Sequence, residues 1–340
     1  MARKSKTMRR WVKWTVTAAL TGTVVLAIVL TLIHPETSVN VSLNVREISF
    51  GTSATRIFSP ASEEQFIISR VAAVRIQGSG IKVKAGSDQF VENSVEIEGD
   101  TAGSCNFYNV RTSIINLNSD SILNLFWLEQ SGGSSFGLRS NKALTGNLTA
   151  QPSAKSKSGF SCVRVRLNGR PTGTVEGEFF SEDSVYFSTA NNAQIDYRGI
   201  SGLNIGDSQI PIVGDLRFSH ITPGDSQEEK TVLRPPASGQ SNEISFEEVD
   251  STVKLSDSDL LMIRPAQGFY LRQFKIDNGI QLSLHGLAKD VLIGAGANDM
   301  KSKMPSLFDE LDKKARVFVV IPAVVAFLLG ILEKLGVLPR

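Results

Sequence analysis

The sequence is poor in the residues that most often bind metals or act as catalytic bases, since its 340 residues include only two cysteines and three histidines. Two cysteines without neighbouring histidines make a poor zinc site, because structural zinc sites use four cysteine or histidine ligands. The scarcity of these residues disfavours a catalytic or metal-binding role. We expect no cofactor.

Two kinds of sequence pattern are also missing. No repeat of fixed period is present, so the sequence gives no support for a β-solenoid. No long amphipathic helical pattern occurs between the N-terminal apolar segment and residue 305. Turn residues instead recur at the spacing of about 8 to 12 residues that is typical of sandwiches and barrels. The region predicts a mainly β domain of antiparallel strands, with a sandwich, barrel or jelly-roll-like arrangement.

Several segments show the alternation of a strand with one buried face. VSLNVREISF places Val41, Leu43 and Val45 on one face. VAAVRIQGSGIKVKAG predicts two short strands around a Gly-Ser-Gly turn, and CVRVRLNGRPTGTV predicts two strands around Asn168-Gly169. Asn-Gly is favoured in hairpin turns because both residues can adopt positive φ.

The clearest hairpin pattern covers residues 269–287, where Asp277, Asn278 and Gly279 separate two alternating runs. A segment rich in proline, serine, glycine and charge covers residues 222–243 and predicts a linker or long surface loop. The strand-rich region is thereby divided into 34–221 and 244–300. One continuous strand-rich unit is the alternative.

An apolar segment near the N-terminus predicts a membrane helix. Residues 14–33 contain no charged side chain and are rich in valine, leucine, isoleucine and alanine. At about 1.5 Å per residue they span about 30 Å, the thickness of the hydrocarbon core of a bilayer. Residues 1–13 carry six basic and no acidic side chains, which favours a cytoplasmic tail. A cleaved signal peptide is the alternative, although its apolar region is usually only about 7 to 15 residues long.

A second membrane helix is predicted over residues 317–338. The uncharged run 317–332 contains twelve strongly apolar residues and no polar face, although Pro322 interrupts it. Upstream, Ser306 and Asp309 have the spacing of a capping box, which predicts that an amphipathic helix begins there and covers residues 305–316. The alternative is that the apolar run forms a buried or interfacial helix.

The charge distribution excludes a nucleic-acid partner. The whole chain has a formal net charge of +2, but residues 34–300 carry 23 basic and 30 acidic side chains. Nucleic-acid binding requires a basic surface, and this region is net acidic. Together with the basic N-terminal tail, the two apolar segments predict a bacterial inner-membrane protein whose main domain is periplasmic or extracellular.

The two cysteines, Cys105 and Cys162, lie in the region predicted to be exported. An even pair in an oxidising compartment favours a disulfide. A disulfide between Cys105 and Cys162 would close a loop of about 57 residues and contribute about 4 kcal/mol according to the chain-entropy model. Two separate buried thiols are the alternative.

Two further residues are weak candidates for chemistry. Residues 133–137, GSSFG, match the G-x-S-x-G pattern and make Ser135 a candidate nucleophile, but no convincing helix follows to complete the required strand-to-helix elbow. His220 in DLRFSHI shares a strand face with Leu216 and Phe218, which favours a core histidine over a functional one.

The arrangement of a basic N-terminal anchor and a strand-rich exported domain resembles that of many bacterial envelope proteins. This likeness is one of architecture, so no activity follows from it. The sequence predicts a membrane-anchored protein whose exported domain has a binding, scaffolding or assembly role. Its predicted partners are the lipid bilayer and another membrane or envelope protein. The alternative function is an envelope hydrolase.

Overall fold

The structure is a computed structural model that describes residues 14, 21–23, 25–26, 28–57, 66–85, 88–99, 107–118, 120–130, 133–152, 163–167, 170–171, 184–200, 202–205, 209–221, 229–236, 240–276, 278–296, 298–307 and 309–310. Strands dominate these residues, and every pair whose register is described is antiparallel. The predicted mainly β fold with antiparallel strands is therefore confirmed.

The chain forms two compact units. The first consists of Met1–Thr37, Phe246–Ser251 and Lys303–Arg340, and the second consists of Ser38–Ser245 and Thr252–Ser302. The residues on both sides of the segment 222–243, predicted as a linker or long loop, belong to the second unit. Part of that segment packs inward, since Val232 and Leu233 are buried.

The described residues contain 24 strands. In chain order they are β1 (Thr37–Val45), β2 (Glu47–Thr52), β3 (Phe66–Val71), β4 (Ala73–Ala85), β5 (Asp88–Gly99), β6 (Phe107–Leu117), β7 (Ser121–Gln130), β8 (Gly133–Ser140), β9 (Leu144–Pro152), β10 (Val163–Leu167), β11 (Arg170–Pro171), β12 (Ser184–Ser188), β13 (Ala193–Ile200), β14 (Gly202–Ile205), β15 (Ile210–Pro211), β16 (Leu216–Arg217), β17 (Ser219–Ile221), β18 (Glu229–Thr231), β19 (Glu243–Phe246), β20 (Ser251–Lys254), β21 (Leu260–Pro265), β22 (Tyr270–Ile276), β23 (Ile280–Gly294) and β24 (Lys301–Ser302).

Most strands belong to two large sheets. The nine-stranded sheet has the order β15-β22-β23-β1-β19-β20, with β21 and β24 also paired to β23 and β16 paired to β21. The thirteen-stranded sheet has the order β14-β3-β6-β9-β12-β4-β13-β8-β7-β2, with β5 paired to β4, β10 to β5 and β11 to β10. Strands β17 and β18 form a separate pair.

Alternation along the strands gives each large sheet a buried face. In β1, Val39, Val41 and Leu43 are at most 2% exposed, whereas Ser42 between them is exposed. In β23, Leu282 and Leu284 are buried in the same way. Because successive side chains of a strand point to opposite faces, the residues between these apolar ones form the outer face of the nine-stranded sheet.

The prediction of two strands around a Gly-Ser-Gly turn in VAAVRIQGSGIKVKAG is wrong. These residues form one strand, β4, which pairs with β5 on both sides of an irregularity between Gln77 and Ile81. Gly80 has a φ of +58°, so the glycines support a bulge and not a chain reversal. By contrast, β10 and β11 do pair across residues 168–169, and β22 pairs with β23 across residues 277–279.

The first unit contains helical residues near the N-terminus and around residue 307. Residues 14, 21–23, 25–26 and 28–32 are helical, as are 307 and 309–310. The predicted capping box is confirmed: the Ser306 backbone N–H donates to Asp309 Oδ2 at 2.9 Å, and the Asp309 N–H donates to Ser306 Oγ at 3.2 Å. The Leu307 N–H donates to the Ile33 carbonyl at 2.7 Å.

Within the described residues, no helix combines the length and the apolar character that a membrane crossing needs. The predicted second membrane helix, 317–338, lies outside these residues, as do residues 1–13 and most of the predicted helix 305–316.

Candidate functional site

A polar cleft lies on the outer face of the nine-stranded sheet. Its volume is about 220 Å³, and its floor is formed by β1, β22 and β23. The residues that line it are mainly amides and hydroxyls: Asn44, Gln240, Asn242, Gln273 and Gln281, with Ser42, Ser241 and Ser283. Lys275 is the charged residue among the described lining residues. We call this site the amide cleft.

One wall of the amide cleft is held in place by two buried asparagines, Asn44 and Asn242, which are 4% and 2% exposed. The Asn44 backbone N–H donates to Asn242 Oδ1 at 2.7 Å, and Asn44 Nδ2 donates to the Pro235 carbonyl at 2.8 Å. Asn242 Nδ2 donates to the Arg234 carbonyl, also at 2.8 Å. These bonds fasten the segment that contains Pro236 and Asn242 to β1, so the wall is built by specific contacts.

Two amide atoms of the cleft residues lack a partner. Asn44 Oδ1 and Gln281 Nε2 are buried and make no hydrogen bond within the part of the chain that the structure describes. Leaving such a group unsatisfied costs about 1 to 3 kcal/mol. One atom is an acceptor and the other is a donor, and both are covered by protein atoms, with Asn44 Oδ1 beside Gly279.

The amide cleft offers mainly hydrogen-bonding groups. Its described lining contains no carboxylate and no histidine, the groups that most often serve as general acids and bases. Amides and hydroxyls supply directional hydrogen bonds without a net charge, and Lys275, the charged residue of the described lining, has an interaction partner of its own. The arrangement therefore favours recognition of an uncharged polar ligand.

A second polar cluster lies on the outer face of the thirteen-stranded sheet, around Asp196 of β13. Gln194 Nε2 donates to both carboxylate oxygens of Asp196 at 2.8 Å, and Arg139 Nε donates to Gln194 Oε1 at 2.7 Å. Burial raises the pKa of Asp196, while the Gln194 bond and the guanidinium groups of Arg198, Arg139 and Arg75 oppose that rise. The members of this cluster thus mainly satisfy one another.

Ser135, the candidate nucleophile, lies inside a strand. Residues 133–137 belong to β8, and Ser135 pairs with Leu128 of β7 and Arg198 of β13. Its hydroxyl lies 3.5 Å from the Leu128 carbonyl, and its side chain is 6% exposed. This geometry differs from the strand-to-helix elbow that the motif requires.

The second glycine of that motif has a packing role. A Cβ atom placed on Gly137 would lie 2.0 Å from Cζ of Phe126, so the ring of Phe126 occupies the space that a side chain would need. The Arg139 guanidinium covers the same ring at 4.3 Å from its centroid. Among the described residues, the G-x-S-x-G match thus lies in a packed strand, without the elbow that a nucleophilic serine needs.

The histidines are dispersed. His220 lies in β17, and its side chain is not among those described. His34 Nδ1 lies 3.2 Å from the Pro305 carbonyl, and His285 Nδ1 lies 2.8 Å from Asn40 Oδ1. Among the described residues, no group of three or more histidine, cysteine, aspartate or glutamate side chains could hold a metal ion. The predicted disulfide stays a prediction, because Cys105 and Cys162 lie outside the described residues.

The residues of the amide cleft were missed by the sequence reasoning. The signal that was available is the alternation of Asn40, Ser42 and Asn44 with buried apolar residues in β1. The same alternation is typical of any solvated sheet face, so it does not mark a site by itself. The cleft depends on residues 234–236 and 240–242, whose contacts with β1 no local pattern predicts.

Comparison with known proteins gives no further assignment. No protein-family model matches this chain, and no curated protein and no solved structure matches it either.

Proposed function

We propose that this chain is a membrane-anchored binding or scaffolding protein of a bacterial inner membrane. Its exported β domain binds another component of the envelope, and its N-terminal tail, residues 1–13, lies in the cytoplasm. The helix over residues 14–33 anchors it, and residues 317–338 form a second membrane helix.

The observation that carries the proposal is an exposed apolar helix. Large apolar side chains in the first unit are exposed by 43% to 75%: Trp14, Val25, Leu26, Ile28, Val29, Leu32 and Ile33. An exposed apolar surface of this kind marks a contact with a membrane or a partner. Thr31 Oγ1 donates to the Ile28 carbonyl at 2.7 Å, so the one hydroxyl in that final turn is satisfied within the helix, as hydrocarbon requires.

The binding role is supported by the amide cleft, whose described lining offers hydrogen-bonding groups but no carboxylate or histidine. The hydrolase alternative is favoured by a single observation, the buried Asp196, because a raised carboxyl pKa is a property of many catalytic acids. However, both carboxylate oxygens of Asp196 accept hydrogen bonds from Gln194, which favours a structural role.

Cysteine labelling in a Gram-negative host tests the proposed topology. In a background with Cys105→Ser and Cys162→Ser, Asp257→Cys places a thiol in an exposed turn of the β domain. We expect an impermeant maleimide to label this thiol in intact spheroplasts. The matched control, Ser5→Cys in the basic tail, should be labelled only after the membrane is opened. Release of the protein into the soluble fraction, or the reverse labelling pattern, would contradict the proposal.

A further inference from the structure

Two of the three strands in the floor of the amide cleft, β1 and β23, have a neighbouring strand on each side. Strand β23 pairs with β22 and β1, and β1 pairs with β23 and β19. Their backbone groups are used by neighbouring strands, so a peptide cannot add to them as a further strand. Recognition in this cleft therefore depends on side chains, which favours a ligand that carries its own array of hydrogen-bonding groups.

The lining specifies the chemistry of that array. Asn44 and Asn242 use their amides to hold the wall, but Gln240, Gln273 and Gln281 each carry an acceptor oxygen beside a donor nitrogen, and a serine hydroxyl can both donate and accept. Adjacent hydroxyl groups of a sugar ring present the same mixture of donors and acceptors. Gln281 Nε2 is buried without a partner, and a rotation of this side chain toward the cleft lets a sugar hydroxyl accept a hydrogen bond from it.

An exposed aromatic side chain continues the same face. Tyr270 of β22 pairs with His285, and Gln273 pairs with Ser283, across an irregularity that follows Leu271. Residues directly opposite each other in a sheet share a face, and His285 and Ser283 are two residues apart on β23. Tyr270 therefore lies on the face of the cleft, about 7 Å along the strand from its edge. It is 38% exposed, and Leu287, also on β23, is 37% exposed.

We infer that the amide cleft and Tyr270 form a binding site for an uncharged oligosaccharide. One sugar unit lies in the cleft, hydrogen bonded to Gln281 and its neighbouring amides, and an adjoining unit places the apolar C–H face of its ring on Tyr270. The volume of about 220 Å³ is smaller than the pockets of about 300 to 1,000 Å³ that hold drug-sized ligands, which suits a single ring. The inference rests on the proposed function, since it names the ligand class of the proposed binding domain.

The test uses the full chain in lauryldimethylamine oxide micelles, because detergents with sugar headgroups would compete. Cellotetraose, chitotetraose and maltotetraose are the uncharged probes, tetragalacturonate is the acidic probe and tetra-alanine is the peptide probe. Titration calorimetry measures the affinities, and saturation-transfer NMR reports which sugar protons contact the protein. We expect at least one uncharged tetrasaccharide to bind, with weaker or no binding of the acidic and peptide probes.

Four variants locate the site. Gln281→Glu replaces the unsatisfied donor by an acceptor, and Tyr270→Ala removes the ring, so each should lower the affinity about tenfold. Tyr270→Phe keeps the ring and should bind within about threefold of the parent chain, since the apolar face of the ring is retained. Asn124→Ala is the matched control: Asn124 Oδ1 is also buried without a partner, but it belongs to β7 of the other sheet.

The outcomes separate this inference from the proposed function. If no uncharged probe binds to a chain whose circular dichroism shows folded β structure, the inference is wrong. It is equally wrong if tetra-alanine binds better than the sugars, or if binding is unchanged by both Gln281→Glu and Tyr270→Ala. The topology experiment with Asp257→Cys is independent of these measurements, so the proposed membrane location can stand when the ligand class fails.

Discussion

Asp196 illustrates how a single residue is fitted to the outer face of a sheet. It is 9% exposed, and its charge is compensated by a hydrogen bond network that begins at Gln194 and continues to Arg139. Arg139 in turn lies over the ring of Phe126. Burial of a carboxylate disfavours its charged form, so this network reduces a cost without removing it.

The raised pKa of Asp196 predicts a pH dependence of stability. Burial holds this pKa above the ordinary value of 3.8, so between these two values the folded state binds more protons than the unfolded state. The free energy of unfolding should therefore decrease as the pH rises through this interval and level off above it. Asp196→Asn should abolish that contribution.

Urea unfolding of the parent chain and of Asp196→Asn, followed by circular dichroism between about pH 4 and pH 7, measures the difference. Asp257→Asn, at an exposed turn, controls for the loss of a carboxylate as such. A parent chain that gains stability relative to Asp196→Asn as the pH rises would contradict the burial argument.

At the scale of elements, the hairpin of β22 and β23 shows which local patterns determine structure. Its turn contains Asn278 with a φ of +53° and Gly279 with a φ of +137°, as the Asn-Gly pair suggested. In β4, the Gly-Ser-Gly sequence looked equally like a turn but forms a bulge, because β5 pairs with both halves of the strand. The difference lies in the pairing with the partner strand, which the local sequence pattern does not reveal.

Gly279 lies where the hairpin turn approaches Asn44 of the amide cleft, and its replacement should destabilise the fold. A Cβ atom at this position would meet Asn44 Oδ1 at 2.4 Å, and its φ is one that other residues rarely adopt. Gly279→Ala should lower the free energy of unfolding by about 1 to 3 kcal/mol. Gly214→Ala is the control: its φ is +80° and no atom lies within 4 Å of the added Cβ. Equal losses in urea unfolding would show that the contact with Asn44 contributes nothing.

At the scale of the whole molecule, the sequence predicted the strand content and several pairings but not the sheets. Alternation in β1 and the turn residues of β22 and β23 are local, and the predictions that follow from them are confirmed. The order of the strands is not local: β1 lies beside β23, which is more than 200 residues away in the chain. The amide cleft depends on this order, since Ser42 and Gln281 both line it although they are far apart in the sequence.

The membrane segments are the other whole-molecule feature, and the second of them yields the last prediction. The twelve strongly apolar side chains in residues 317–332 make water a costly environment for this segment. The favourable free energy of inserting these side chains into the bilayer outweighs two costs. One is the interruption of the helix by Pro322, and the other is the unfavourable position of Lys313, Lys314 and Arg316 on the exported side. Residues 317–338 should therefore return the C-terminus to the cytoplasm.

A cysteine added after Arg340, in the background that lacks Cys105 and Cys162, measures this topology. An impermeant maleimide should label it only after the membrane is opened, whereas Asp257→Cys is labelled from outside in the same preparation. Labelling of the C-terminal cysteine in intact spheroplasts would show that residues 317–338 do not cross. The chain would then be anchored once, and the apolar segment would have to be covered on the exported side, because an apolar surface of that size is not stable in water.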